Sequence, residues 1–240
     1  MIARTVSSWG IAIALAAGLP GTASAQVGAF GGYYSSGMDQ FNYVLSSIHL
    51  RSIERNAERR TAERRADAAA PRAPASTVVP RGAAPLAPQR LAAHYPAAQR
   101  AQAQRTFGEL LAGYRQIETR FGLAPGDMAG AMAGLIAGSW SICRDRPIVD
   151  AHFGAVASQL RGAIGQDPRF AQVSAADRQM AYEQFAILGT ELALLQMALQ
   201  QKPDAALQRR GCEAGRGYLG QFGLDPEKFD ITAQGLVVAG

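Results

Sequence analysis

Residues 127–140 read DMAGAMAGLIAGSW, with glycine at every fourth position (Gly130, Gly134, Gly138) and no charge after Asp127. Each glycine inside a helix costs about 0.5–1 kcal/mol relative to alanine. Three in one row therefore imply a return in packing. A small-xxx-small row lets a second backbone come close, in soluble bundles as well as in membranes. The segment is flanked by Asp127 and Arg144, which leaves it shorter than the roughly 20 apolar residues of a spanning helix. It reads as a helix, capped by Asp127, that another helix approaches closely. A membrane-inserting hairpin is the alternative.

The neighbouring stretches supply the other helices. Upstream, Phe107, Leu110, Leu111, Tyr114, Ile117 and Phe121 recur with helical spacing and stop at Gly122. Pro96 suits the first turn of that helix. Downstream, Phe153, Val156, Leu160 and Ile164 mark a third helix. Ser174, with Asp177 three residues on, opens a fourth that runs to Lys202-Pro203. This fourth helix is apolar nearly all round from Phe185 to Leu199, which predicts that it is the central one. Asp204 caps a fifth helix carrying Leu207, Tyr218, Leu219 and Phe222, and DITAQGLVV forms an extended tail. Short connections between five helices predict an all-α fold, a five-helix bundle-like domain over residues 92–240.

Everything before that domain differs in composition. Residues 1–25 carry Arg4, an apolar run WGIAIALAAGL and the small-x-small site Ala23-Ser24-Ala25, the pattern of a secretory signal peptide. Residues 26–67 begin with the glycine- and aromatic-rich QVGAFGGYYSSGM. A basic helix follows, with Phe41, Val44, Leu45 and Ile48 on one face. Residues 68–91, rich in proline and alanine, are expected to be a disordered linker. No later stretch is long and apolar enough to span a bilayer, so the mature chain is expected to lack a transmembrane segment.

The charge is uneven. Residues 51–105 hold 11 arginines against 4 acids, a net +7, whereas residues 106–240 hold 12 basic against 14 acidic groups, a net −2. An exported chain rarely meets nucleic acid, and no aromatic residues interleave with the arginines, so a nucleic-acid partner is not expected. Arg51, Arg55, Arg59, Arg60, Arg64 and Arg65 form either a solvated helix face, a contact for an anionic envelope surface, or a coiled-coil partner.

HYPAAQRAQAQRTFGELLAGYRQIETRFG, DMAGAMAGLIAGS, YEQFAILGTELALLQMALQQKPD and RGYLGQFGLDPEKFDITAQGLV together resemble a family of uncharacterised exported bacterial proteins with a helical C-terminal domain of unknown function. The resemblance covers about residues 92–238. It implies export and the domain boundaries, and it brings no activity, cofactor or catalytic residue.

Few residues carry chemistry. Cys143 and Cys212 are the only cysteines, and in an oxidising compartment the pair reads as a disulfide rather than a metal site or a nucleophile. The three histidines have no ligand spacing, so neither a metal nor another cofactor is expected. Cys143, Asp150 and His152 could be drawn as a triad, but residues two apart on a helix do not share a face. Glu191 stands out because Ile187, Leu188, Leu194 and Leu195 surround it at helical spacing. Its carboxylate must be paired with Arg144, Arg161 or Arg210, reach solvent, or serve as a catalytic or ligand-binding acid. The reading these features favour is a non-catalytic envelope interaction or binding module, with an unknown envelope protein or anionic surface as partner. The alternatives are a hydrolase using Glu191 and a membrane-active helical protein.

Overall fold

The computed structural model describes residues 76–80 and 84–239. Its elements are α1 (Ala87–Ala92), α2 (Ala97–Arg120), α3 (Met128–Arg144), α4 (Asp150–Gln166), a 3-10 turn (Phe170–Gln172), α5 (Ala175–Gln201), α6 (Ala205–Gln221), β1 (Phe229–Thr232) and β2 (Gly235–Val238). The described residues are thus mainly α-helical, with one small two-stranded sheet.

The glycine segment forms α3, and α3 rather than α5 is the central helix. In α3 only Gly134, Cys143 and Arg144 escape full burial, whereas α5 buries a continuous stretch only from Ala181 to Thr190. The physical reason is side-chain size. The small residues of α3 admit neighbours on every side, so α4, α5 and α6 all pack against it. The glycine row serves three different contacts. A Cβ on Gly138 would lie 2.6 Å from the Gly189 carbonyl oxygen, and one on Gly189 would lie 2.5 Å from the Gly134 carbonyl carbon, so α3 and α5 meet backbone to backbone. Gly130 abuts the Leu123 side chain, and Gly134 has only Tyr114 ring atoms at ordinary contact distance. On another face of α3, a Cβ on Gly215 of α6 would lie 3.1 Å from the Ser139 carbonyl oxygen.

The starts of α3, α5 and α6 are set by side-chain caps. Asp127 accepts from the Ala129 N–H, and Ser174 accepts from Asp177 N–H while its hydroxyl donates to the Asp177 carboxylate at 2.6 Å. Asp204 accepts from Leu207 and Ala206 N–H groups, which together hold its carboxyl below the usual range. Cys143 and Cys212 are joined as a disulfide between the end of α3 and the middle of α6, with Cα atoms 4.5 Å apart.

Two regions differ from expectation. The expected linker through residue 91 is in part a docked strap. Val79, Ala87, Leu91 and Ala92 are buried, and Val78 forms a β-bridge with Asp127. Apolar residues within a proline-rich stretch suffice to bury it, because three carboxylates on the bundle hold its backbone and its landing loop. The extended tail folds back as an antiparallel hairpin with Phe229 opposite Val238 and Thr232 opposite Gly235. Gln159 of α4 clamps it, accepting from Leu236 N–H at 2.7 Å and donating to the Leu236 carbonyl. Residues 1–75, and with them the signal-peptide, N-terminal and basic-helix expectations, lie outside the described residues.

Candidate functional site

A groove of about 730 Å3 opens between α2, α3, the start of α4 and α5. Ile117 and Phe121 from α2, Ile148 and Phe153 around the start of α4, and Met197 from α5 give it apolar walls. Gly134, Ala137 and Gly138 form a floor without bulk, so the same small residues that bring α3 and α5 together leave a hollow beside their crossing. On α5 the lined stretch runs from Gly189 to Gln201, about 18 Å at 1.5 Å per residue. Thr190 and Tyr114 are buried at one end, while Gln200 and Gln201 are exposed at the other.

The polar groups of the lining are few. Gln196 donates to Asp145 at 2.8 Å. Ser141 donates to the Arg146 carbonyl. Asp150 is paired with Arg120 at 2.6 Å. Thr190 is 5% exposed, and among the described residues its Oγ1, like the Tyr114 hydroxyl and Asp150 Oδ1, has no hydrogen-bond partner. Among the described residues no lysine, arginine or histidine lines the groove.

Beside the groove lies a cluster of buried acids that hold backbone. Glu118 accepts from Gly126 N–H and from the Tyr182 hydroxyl, both at 2.9 Å. Asp127 accepts from the Thr77 hydroxyl at 2.7 Å and pairs with Arg161 at 2.5 Å. Glu183 accepts from the Leu86 and Ala87 N–H groups at 2.7 and 2.8 Å, capping α1. Gly126 makes the approach possible, with φ 84° and a missing Cβ that would lie 2.7 Å from the Val79 carbonyl oxygen. Burial first, with Glu118, Tyr182 and Asp127 adding to it, pushes the Tyr114 hydroxyl well above its ordinary pKa.

Glu191 sits half-buried on α5 and does not line the groove. Among the described residues its carboxylate has no hydrogen bond or ion pair. Arg144 pairs instead with Glu227 at 2.7 Å and Arg161 with Asp127. The buried Nε of Arg210 has no partner among the described residues. Desolvation by burial raises the Glu191 pKa to about 7. Among the described residues no group of three His, Cys, Asp or Glu side chains converges as a metal site. Arg51, Arg55, Arg59, Arg60, Arg64 and Arg65 lie outside the described residues.

Sequence reasoning passed over Thr190, Glu118 and Glu183. A signal existed for Glu118, which falls on the apolar face of α2 four residues after Tyr114 and three before Phe121. For Thr190 the signal was a lone hydroxyl beside Gly189 in an apolar run. No curated protein and no solved structure matches the chain. One family model does match, over residues 5–239, so the chain belongs to the family of unknown function DUF6683.

Proposed function

We propose that the protein is an exported, non-catalytic binding module of the bacterial cell envelope, and that its helical domain takes a ligand in the groove between α2, α3, α4 and α5. The observation that carries this reading is the groove: about 730 Å3, with mainly apolar walls and a glycine floor. That size falls within the about 300–1,000 Å3 of pockets that hold a drug-sized ligand. The three buried carboxylates beside it are each occupied by backbone N–H groups, a use that supports scaffolding rather than proton transfer. The signal-like first 25 residues support export, and the arginines between 51 and 65 support retention at an anionic surface.

The test has two arms, both with the full chain in a bacterial host. Fractionation with mass spectrometry of the mature N-terminus is expected to find the protein outside the cytoplasm and starting at Gln26. Retention of an unprocessed chain in the cytoplasm overturns export. Crosslinking capture is then compared between wild type and Ala193→Trp, which places an indole in the groove. Bound material that is recovered with wild type and lost with the variant supports the groove as the site; equal recovery with both overturns it.

A hydrolase reading rests on one observation, the raised pKa of Glu191, which would let it act as an acid near neutral pH. Hydrolytic turnover of an ester or glycoside panel that disappears in Glu191→Gln would favour it. For the membrane-active reading, no helix among the described residues is long and apolar enough to cross a membrane.

A further inference from the structure

The groove's chemistry narrows its occupant, and the narrowing rests on the binding-module reading above. We infer that the groove takes an uncharged, mainly apolar small molecule carrying one hydrogen-bonding oxygen, a long-chain alcohol, ester or amide, with that oxygen seated against Thr190 Oγ1.

Three observations converge on this class. The first is the hydroxyl itself. Thr190 lines the groove, is 5% exposed, and leaves Oγ1 without a partner among the described residues. A helical threonine can ordinarily turn its hydroxyl to the carbonyl one turn back, and here it does not. An unsatisfied buried hydroxyl is costly, and a ligand oxygen removes that cost. A single water, whose share of liquid volume is about 30 Å3, would leave nearly all of the groove unfilled.

The second observation is charge. Among the described residues no cation lines the groove, so a carboxylate or phosphate headgroup finds no counter-ion among them. Asp150, the one charged lining residue among those described, has its charge offset by Arg120 through Oδ2, so a cationic headgroup gains less there, although its Oδ1 is buried without a partner.

The third is the ratio of polar to apolar wall. A peptide segment would bring a backbone N–H and C=O with every residue, each needing a partner. Among the described residues the buried end offers the unpartnered hydroxyls of Thr190 and Tyr114, and Ile117, Phe121 and Phe153 supply apolar wall, which suits a molecule with a small polar end and a hydrocarbon body.

The experiment uses the full chain and the neutral fluorophore N-phenylnaphthylamine, displaced in turn by dodecanol, dodecanoate, dodecylammonium and dodecane. Dodecanol is expected to displace best. Thr190→Val keeps the shape of the side chain and removes only the oxygen, so it is expected to weaken dodecanol about threefold to tenfold, the net worth of one neutral hydrogen bond, while leaving dodecane unchanged. Ala193→Trp is expected to abolish fluorophore binding; helicity of both variants is checked by circular dichroism. Stronger displacement by dodecanoate or dodecylammonium overturns the neutral class while leaving the groove as a binding site. Equal dodecanol affinity in wild type and Thr190→Val overturns the role of the hydroxyl. If the fluorophore fails to bind, or binds Ala193→Trp as well as wild type, the small-molecule inference fails. The capture experiment above then decides separately whether the groove binds anything at all.

Discussion

Gly138 and Gly189 meet across the α3–α5 crossing so closely that a Cβ on Gly138 would sit 2.6 Å from the Gly189 carbonyl oxygen. Neither helix can yield there, because both are buried on that face. Gly189→Ala and Gly138→Ala are therefore expected to cost about 2 kcal/mol or more each, in the range of overpacked cores. Gly134→Ala meets only Tyr114 ring carbons at 3.4 Å or more and gains helix propensity, so a change between neutral and about +1 kcal/mol is expected. Urea denaturation of the three variants checks the ranking. Equal losses at all three positions would mean that the glycine row acts as a unit rather than through one crossing.

The strap makes its own prediction. Chains beginning at residue 76 and at residue 97 differ by Val79, α1 and the partners of Glu183 and Asp127. Burying Val79 and Leu91 is worth about 1.5–3 kcal/mol each. The shorter chain also leaves the Glu183 carboxylate without the two N–H groups it caps. A loss of about 4 kcal/mol or more is expected for the chain from 97, read from denaturation midpoints. Equal stability of the two would show that the strap is a passenger.

How much of this was legible beforehand depends on the range of the interaction. The caps at Asp127, Ser174 and Asp204 are local, and each can be read from three or four consecutive residues. The helical periodicities of α2, α4 and α5 are local too. Which helix stands at the centre is not local. Apolarity all round marked α5, but close approach is governed by side-chain size, and that favoured α3. The strap escaped notice because its prolines dominate its composition, while its attachment depends on Glu118, Asp127 and Glu183, which lie 50 or more residues away from the groups they fix in the case of Thr77 and Leu86. The groove is a gap between four elements, so only an odd residue such as Thr190 within an apolar run could hint at it.

The disulfide ties α3 to α6 across a sequence separation of 69 residues. In the chain-entropy model a loop of that length is worth about 4 kcal/mol through restriction of the unfolded chain. Cys143→Ala with Cys212→Ala is expected to lower stability by up to that amount, and a reducing agent is expected to have the same effect on wild type and none on the double variant. The helices should survive, since α6 keeps its contact with α3 through Gly211 and Gly215. Circular dichroism beside the denaturation curves separates lost stability from lost fold.

Glu191 gives a pH signature with a definite sign. Its folded-state pKa is raised by burial from 4.5 to about 7, above its value in the unfolded chain. Below pH about 4.5 the carboxyl is protonated in both states and costs nothing. As pH rises, the unfolded chain releases the proton first, so stability falls between about 4.5 and 7 and then levels off. The whole shift corresponds to about 3 kcal/mol at 1.36 kcal/mol per unit; the half-buried position, with part of its hydration kept, brings the expected loss to on the order of 2 kcal/mol. Glu191→Gln removes the titration. The variant is expected to match wild type near pH 4 and to exceed it by that amount at pH 8, in urea unfolding followed across the range. A stability difference between wild type and Glu191→Gln that changes across this window with the opposite sign would mean that a cation has found Glu191 and that the pairing with arginine holds after all.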